Sequence, residues 1–222
     1  MDWSALKLSL ALAATTVAVL IPLGLVVARR LAWKPFRGRR WVEAALALPL
    51  VLPPTVLGFY LLYAFGAGSP LGRGFHALTG GSLAFSFSGL LVASIIFNLP
   101  FAIQPMQRAF ESIPADVREA AACCGMSPWR IFTGVEFPLA WPGILSALVL
   151  TFAHTMGEFG VVLMVGGNIP GETRTIALSI YDRVQAFDTA GAGLMAAVLL
   201  ALSLVAMAVA YGTTPARGAH RG

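Results

Sequence analysis

Five runs of mostly apolar residues, separated by short charged or glycine-rich stretches, constrain this chain more than any other feature. They lie at residues 8–28, within 44–67, at 89–107, at 139–165 and at 191–211. About 20 apolar residues suffice for one helix to cross a bilayer, so each run is long enough to be a span. Charged residues make up only 11% of the 222, against roughly a quarter in a soluble domain, too few to cover a water-facing surface. The fold expected is an all-α membrane protein, a polytopic bundle of about five transmembrane helices. It forms one domain over 1–222, with no internal repeat, coiled coil or separate soluble unit.

The formal net charge of +5 does not point to nucleic acid, because of where the charges fall. Arg29, Arg30, Lys34, Arg37, Arg39 and Arg40 crowd into one loop between the first two runs. That is how a cytoplasmic loop reads under the positive-inside rule. With 29–43 inside, 108–136 and 213–222 are inside too. Only Lys7, Arg73, Arg174 and Arg183 of the 15 Lys and Arg are left outside. The amino terminus is then out and the carboxy terminus in. Met1-Asp2-Trp3 lacks the basic start of a cleaved signal, so the first run is read as a retained span. The segment 176–187 is helical in pattern but charged, and reads as re-entrant, interfacial or an additional span. Cys123 and Cys124, placed in the cytoplasm, read as a reduced pair.

Pro49, Pro53, Pro54, Pro100 and Pro105 fall inside or beside spans, where each removes a backbone donor and bends a helix. Three of them crowd into residues 49–54, a deformable section of the kind a moving gate helix needs. Between the third and fourth runs, Ser112 can cap a helix, Pro114 suits its first turn, and Asp116 and Glu119 suit its positive end. A small-residue run follows, Gly125 reads as a left-handed stop, and Ser127-Pro128 starts a second short helix leading to Pro138. Two short helices joined by a glycine turn thus stand between two spans. Such a hairpin either packs under the bundle as an interfacial loop or docks in a partner's groove and transmits its motion.

Glu119-Ala120-Ala121, three residues, Gly125, nine residues, then Val135-Glu136-Phe137-Pro138 resembles the EAA loop of bacterial ABC importer permeases. That resemblance implies that 111–137 is the coupling loop, docked in a cleft of a cytoplasmic ATPase subunit. Glu119, Ala120, Ala121, Gly125 and Pro138 would be its matching positions. It further implies two ATPase chains, a second copy of this permease, a periplasmic binding protein and a lipid-embedded site in the cell inner membrane. No G-x-x-x-x-G-K-[ST] phosphate loop occurs in the chain, so ATP and Mg belong to the partner, and no cofactor or catalytic residue is assigned here. The stretch 49–60, Gly157-Glu158-Phe159-Gly160 and the stretch 168–175 look like molybdate permeases in particular. Sulfate and tungstate remain the rival cargoes.

His154 and Glu158 stand four apart in the fourth run, on one face of a continuous helix. Ionisable residues at membrane depth face protein or a water-filled cavity. They read either as path or gate residues, beside Pro53, Pro54 and Thr55, or as a buried pair holding helices together. A membrane-embedded enzyme using the two is the alternative from another class. A metal site is not expected. Asn168, Glu172 and Arg174 lie in the outer loop, where Arg174 either docks the binding protein or pairs with Glu172.

Overall fold

The computed structural model describes residues 1–212. The tail 213–222, to which the charge count assigned the inward carboxy terminus, lies outside the described residues, as does His220. All regular structure among the described residues is helical.

Helix α1, Trp3–Trp33, starts where the Asp2 carboxylate accepts the Ala5 N–H at 3.0 Å, and ends at Lys34, extended ahead of Pro35. The second apolar run is two helices, not one straight span. Helices α2, Arg39–Val51, and α3, Pro54–Phe65, meet at a bend of 110°. Leu52 and Pro53 between them are extended, and neither Pro53 nor Pro54 can donate a helical hydrogen bond. A short α4, Pro70–Thr79, leads to α5, Phe87–Glu111, whose start is capped by Ser86. After a hairpin of α6, Ala115–Cys123, and α7, Pro128–Ile131, comes α8, Phe137–Gly157, then α9, Gly160–Gly166. Hence the fourth run is also broken, at Gly157-Glu158-Phe159. Helix α10, Ile176–Gln185, is only 10 residues long and packs on α11, Thr189–Gly212. At about 1.5 Å per residue it is too short to cross, so it is not an additional span. Among the described residues four helices are long and apolar enough to cross, or five with the bent pair counted as one.

The core lies where α1, α5 and α8 pack together. Leu20, Ala28 and Leu31 meet Ala102, Ile103, Met106 and Phe110, with Ala140, Ile144 and Ala147 closing the third side. Small residues let these helices approach closely, the usual means of packing in a membrane. Polar contacts tie the bundle together at both ends. Asp2 meets Ser179 and Ser9 meets Ile176 at one end, while Arg39 meets Glu111 and Arg29 meets Glu136 at the other.

Gly143 on α8 is the tightest point of that core. A Cβ there would lie 2.4 Å from Ala109 Cβ and 2.8 Å from the Pro105 carbonyl oxygen. Gly143→Ala should therefore cost roughly 1–3 kcal/mol by overpacking. Gly74→Ala, where a Cβ meets nothing within 4 Å, should be neutral or slightly stabilising. Thermal stability of the two variants in detergent measures the contrast; equal melting temperatures would refute the packing account.

Candidate functional site

The hairpin begins where α5 ends at Glu111. Ser112 does not cap the next helix; its hydroxyl turns back to the Ala109 carbonyl at 2.8 Å, and Pro114 holds the N-cap position. The buried Ile113 pins the turn to the core. Helix α6 spans Ala115–Cys123, with Asp116 in its first turn. It stops at Gly125, whose φ of +76° admits few residues but glycine, and Met126 N–H closes the turn on the Ala121 carbonyl. Ser127 caps α7, Pro128–Ile131. The second helix does not end at Pro138. It runs through a five-residue π-helical turn, Phe132–Glu136, straight into α8.

Helix α6 turns Arg118 and Ala121 inward and leaves Asp116, Val117, Glu119, Ala120, Ala122, Cys123 and Cys124 exposed. Both cysteines are free. The motif positions therefore divide: Glu119, Ala120, Gly125 and Pro138 are at the surface, while Ala121 packs against the bundle.

Under α6 sits a residue that the pattern of spans and loops did not single out. Glu136, in the π turn, has none of its side chain exposed. Its Oε2 accepts the Arg29 Nε–H at 2.5 Å and its Oε1 accepts the Arg118 Nε–H at 2.8 Å. Arg29 comes from α1 and Arg118 from α6, so one carboxylate joins three elements. Each guanidinium is also covered by an aromatic ring, Arg118 by Trp33 at 4.0 Å and Arg29 by Phe132 at 5.2 Å.

A second cluster lies where the two broken runs meet. Gly160 packs on Pro54, so closely that a Cβ would stand 2.8 Å from Pro54 Cβ, and Gly58 faces Met164 in the same way. The Pro53-Pro54-Thr55 corner and the Gly157-Glu158-Phe159-Gly160 break are thus one contact. The three residues of the corner are exposed. Glu158 lies beyond the end of α8, and its Oε1 accepts the Val161 N–H at 2.8 Å, capping α9. His154 remains in α8, its ring against Phe101 and Phe97 at 3.9 and 4.7 Å, and its Nδ1 meets Asn98 Oδ1 at 3.2 Å. Because Asn98 Nδ2 donates to Thr155 and to the Ser94 carbonyl, the contact assigns the proton to His154 Nδ1. The expected His154–Glu158 pair is therefore corrected. The i, i+4 relation needs a continuous helix, and the helix ends between them.

In the loop between α9 and α10, Arg174 does not pair with Glu172. Its guanidinium meets Asp182 at 3.3 Å, and Asn168 bridges the two, accepting from Arg174 Nε at 2.9 Å and donating to both Asp182 oxygens at 3.0 Å. Glu172 is left exposed at the tip. Among the described residues no three His, Cys, Asp or Glu stand close enough to hold a metal ion.

Residues 20–215 match the family of binding-protein-dependent transport system inner membrane components. The chain is 45% identical to the molybdenum transport system permease protein ModB of Azotobacter vinelandii, over 96% of this chain and 94% of that protein. It is 37% identical to the Haemophilus influenzae protein of the same name, over 92% and 91%. A probable sulfate transport system permease of Zygnema circumcarinatum is 32% identical, over 93% of this chain and 71% of that one. Two solved structures share the fold at low identity. One is a bacterial ABC transporter that imports alginate (TM-score 0.75, 19% identical, 96% of this chain and 79% of that one). The other is the inward-facing MetNI methionine ABC transporter (TM-score 0.67, 18% identical, 96% and 94%).

Glu136 supplies the sharpest test of the hairpin's attachment. Glu136→Leu leaves two guanidiniums facing each other without a carboxylate. Breaking a buried pair costs about 3–5 kcal/mol. Here roughly 2–3 kcal/mol is expected, because Arg29 and Arg118 stay a third exposed. Glu136→Gln, which keeps an acceptor but not the charge, should fall between wild type and Leu in detergent melting curves. A Leu variant as stable as wild type would show that the joint is ornamental.

Proposed function

The chain belongs to the family of binding-protein-dependent transport system inner membrane components, and on that premise we propose that its cargo is molybdate. It is the permease subunit of an ABC importer, a multi-pass membrane protein whose ATPase is a separate chain. The observation that carries the cargo reading is the 45% identity to a molybdenum transport permease, spread over 96% of the chain rather than confined to one motif. Sulfate is the second reading, favoured by the 32% identity to a probable sulfate permease, whose length is less fully covered. Tungstate, close to molybdate in size and charge, is a third.

The rest of the machine follows in the same reading. The loop 111–137 is the coupling element, and the exposed face of α6, with Glu119, Ala120 and Gly125, docks in the ATPase cleft. Two such ATPase chains hold ATP and Mg. A second copy of this chain completes the path, supported by the exposed aromatic face of α3: Phe59, Tyr60 and Tyr63, the last 77% exposed. Lipid covers the remainder. A periplasmic oxyanion-binding protein delivers the cargo at the opposite end, where Asn168, Glu172 and Arg174 stand. The amino terminus faces the periplasm and the carboxy terminus the cytoplasm. Pro53, Pro54 and Thr55 against Gly160 form a gate whose helices are already broken, so it opens without rupturing a continuous helix. Glu158 holds the α9 side of that gate by its cap, and His154 braces α5 against α8 behind it. ATP closing the partner dimer moves α6, and the Arg118–Glu136–Arg29 joint carries that displacement to α8 and α1.

Cells lacking their own high-affinity uptake, supplied with this chain, its ATPase and its binding protein, should accumulate molybdate against a gradient. A tenfold excess of sulfate should not compete, and uptake restricted to sulfate would move the assignment to the second reading. Gly125→Asp puts a side chain into left-handed geometry that glycine adopts without strain, and adds a charge at the docking face. It should leave membrane insertion normal, abolish uptake and weaken ATPase co-purification. Full uptake by this variant would remove the docking role of the hairpin.

A further inference from the structure

A cleft of about 630 Å³ opens between α1 and the base of the hairpin. Its α1 wall is one helical stripe spaced by three and four residues, from Pro22 through Leu25 and Val26 to Arg29, Arg30 and Lys34. Twelve rises of about 1.5 Å from Pro22 to Lys34 make that wall roughly 18 Å long. Polarity along it is graded: the Pro22 end is wholly apolar and the Lys34 end is cationic. Across the cleft, Arg118 and Trp129 stand on the hairpin side, with the Trp129 indole 71% exposed at the rim.

Charge is out of balance here. Arg29 and Arg118 share one carboxylate, Glu136. Arg30 and Lys34 have no carboxylate within ion-pair distance among the described residues, and both are exposed. Four cations thus meet one acid. On the same flank of α1, Leu23 and Val26 are exposed, Val26 by 67%, and carry the apolar surface onward into the bilayer.

We propose that this cleft holds an anionic phospholipid of the cytoplasmic leaflet, its phosphate among Arg30, Lys34 and Arg118 and an acyl chain along Pro22, Leu25 and Val26. This rests on the orientation given above. A free oxyanion would use the cationic end but leaves the apolar half unexplained. A second copy of this chain would bring the same cations to face these, which repel. The ATPase contact uses the other, exposed face of α6. Basic pockets at the cytoplasmic edge of a bundle, with an indole at the interface, suit anionic head groups. Seated there, the phosphate touches α1 and the hairpin together, on either side of the Glu136 joint, so coupling becomes sensitive to anionic lipid.

The test uses the permease with its ATPase chains, exchanged into nanodiscs of phosphatidylglycerol or phosphatidylcholine, then partly delipidated and weighed by native mass spectrometry. The double variant Arg30→Gln, Lys34→Gln leaves both partners of Glu136 in place. It should retain phosphatidylglycerol about tenfold less well or worse, the scale set by two basic residues at an anionic surface. Phosphatidylcholine retention and membrane abundance should be unchanged. The control Lys7→Gln, Arg73→Gln, at the other end, should retain lipid as wild type does. Equal phosphatidylglycerol retention in wild type and the Arg30/Lys34 variant overturns the proposal. So does displacement of the lipid by inorganic phosphate or glycerol phosphate as readily as by phosphatidylglycerol, which would make this a free-anion site. Retention is scored without any transported substrate, so its failure leaves the cargo reading standing, and failed molybdate uptake leaves the lipid result readable.

Discussion

A carboxylate with no exposed surface stays ionised only if cations and donors replace the water it has lost. Glu136 meets that requirement with two guanidiniums, one from 107 residues earlier and one from 18 residues earlier. The last turns of α1, the hairpin helix α6 and the foot of α8 must therefore stand in one arrangement for the charge to be satisfied. The π turn lies at the same place, where its wider winding re-aims side chains relative to the α8 register. Once Arg118 points inward, helical geometry also fixes the roll of α6. Ala121, one turn on, packs inward, and Glu119, Ala120 and Ala122 face out. The exposed surface of α6 is thus set by an ion pair beneath it.

The other region of interest is built in the opposite manner. The Pro53-Pro54 corner and the Gly157-Glu158-Phe159-Gly160 break interrupt two apolar runs and bring the interruptions into contact. Among the described residues neither break is held by an ion pair; the contact rests on small residues and on the Glu158 cap of α9. In the proposed cycle this asymmetry assigns the roles. The ion-paired foot transmits a displacement, and the broken helices absorb it.

Most of the fold was legible because hydrophobicity alone dictates it. The runs at 8–28, 89–107 and 191–211 each became one helix, extended at both ends. The other two runs misled for a shared reason. Hydropathy stays high across Pro53-Pro54 and across Gly157–Gly160, so a window average does not see a backbone break. The prolines did flag the first break as deformable. The second had only glycines as a signal, and reading through it put His154 and Glu158 on one helix face that does not exist. In the hairpin, the glycine stop and the small-residue run were plain from local rules, whereas Ser112 lost its capping role to Pro114. Glu136 was hidden because its partners are distant in sequence. Arg29 and Arg118 were absorbed into the charge asymmetry of the loops, where a positive residue needs no other explanation. The usable signal was a lone acid inside Val135-Glu136-Phe137-Pro138, an otherwise apolar entry to a span. Arg174 likewise suggested a nearby acid, but chain folding supplied Asp182 in place of Glu172.

In the proposed cycle α6, α1 and the foot of α8 move as one body while α3 moves against them. Spin labels report this directly in the assembled transporter. One label sits at Cys123, with Cys124 replaced by serine, and is paired first with Val26→Cys on α1 and then with Tyr63→Cys on α3. Between the nucleotide-free and ATP-trapped states, the Cys123-to-α1 distance should stay constant and the Cys123-to-α3 distance should change. A Cys123-to-α1 distance that shifts as much as the α3 distance would contradict the account.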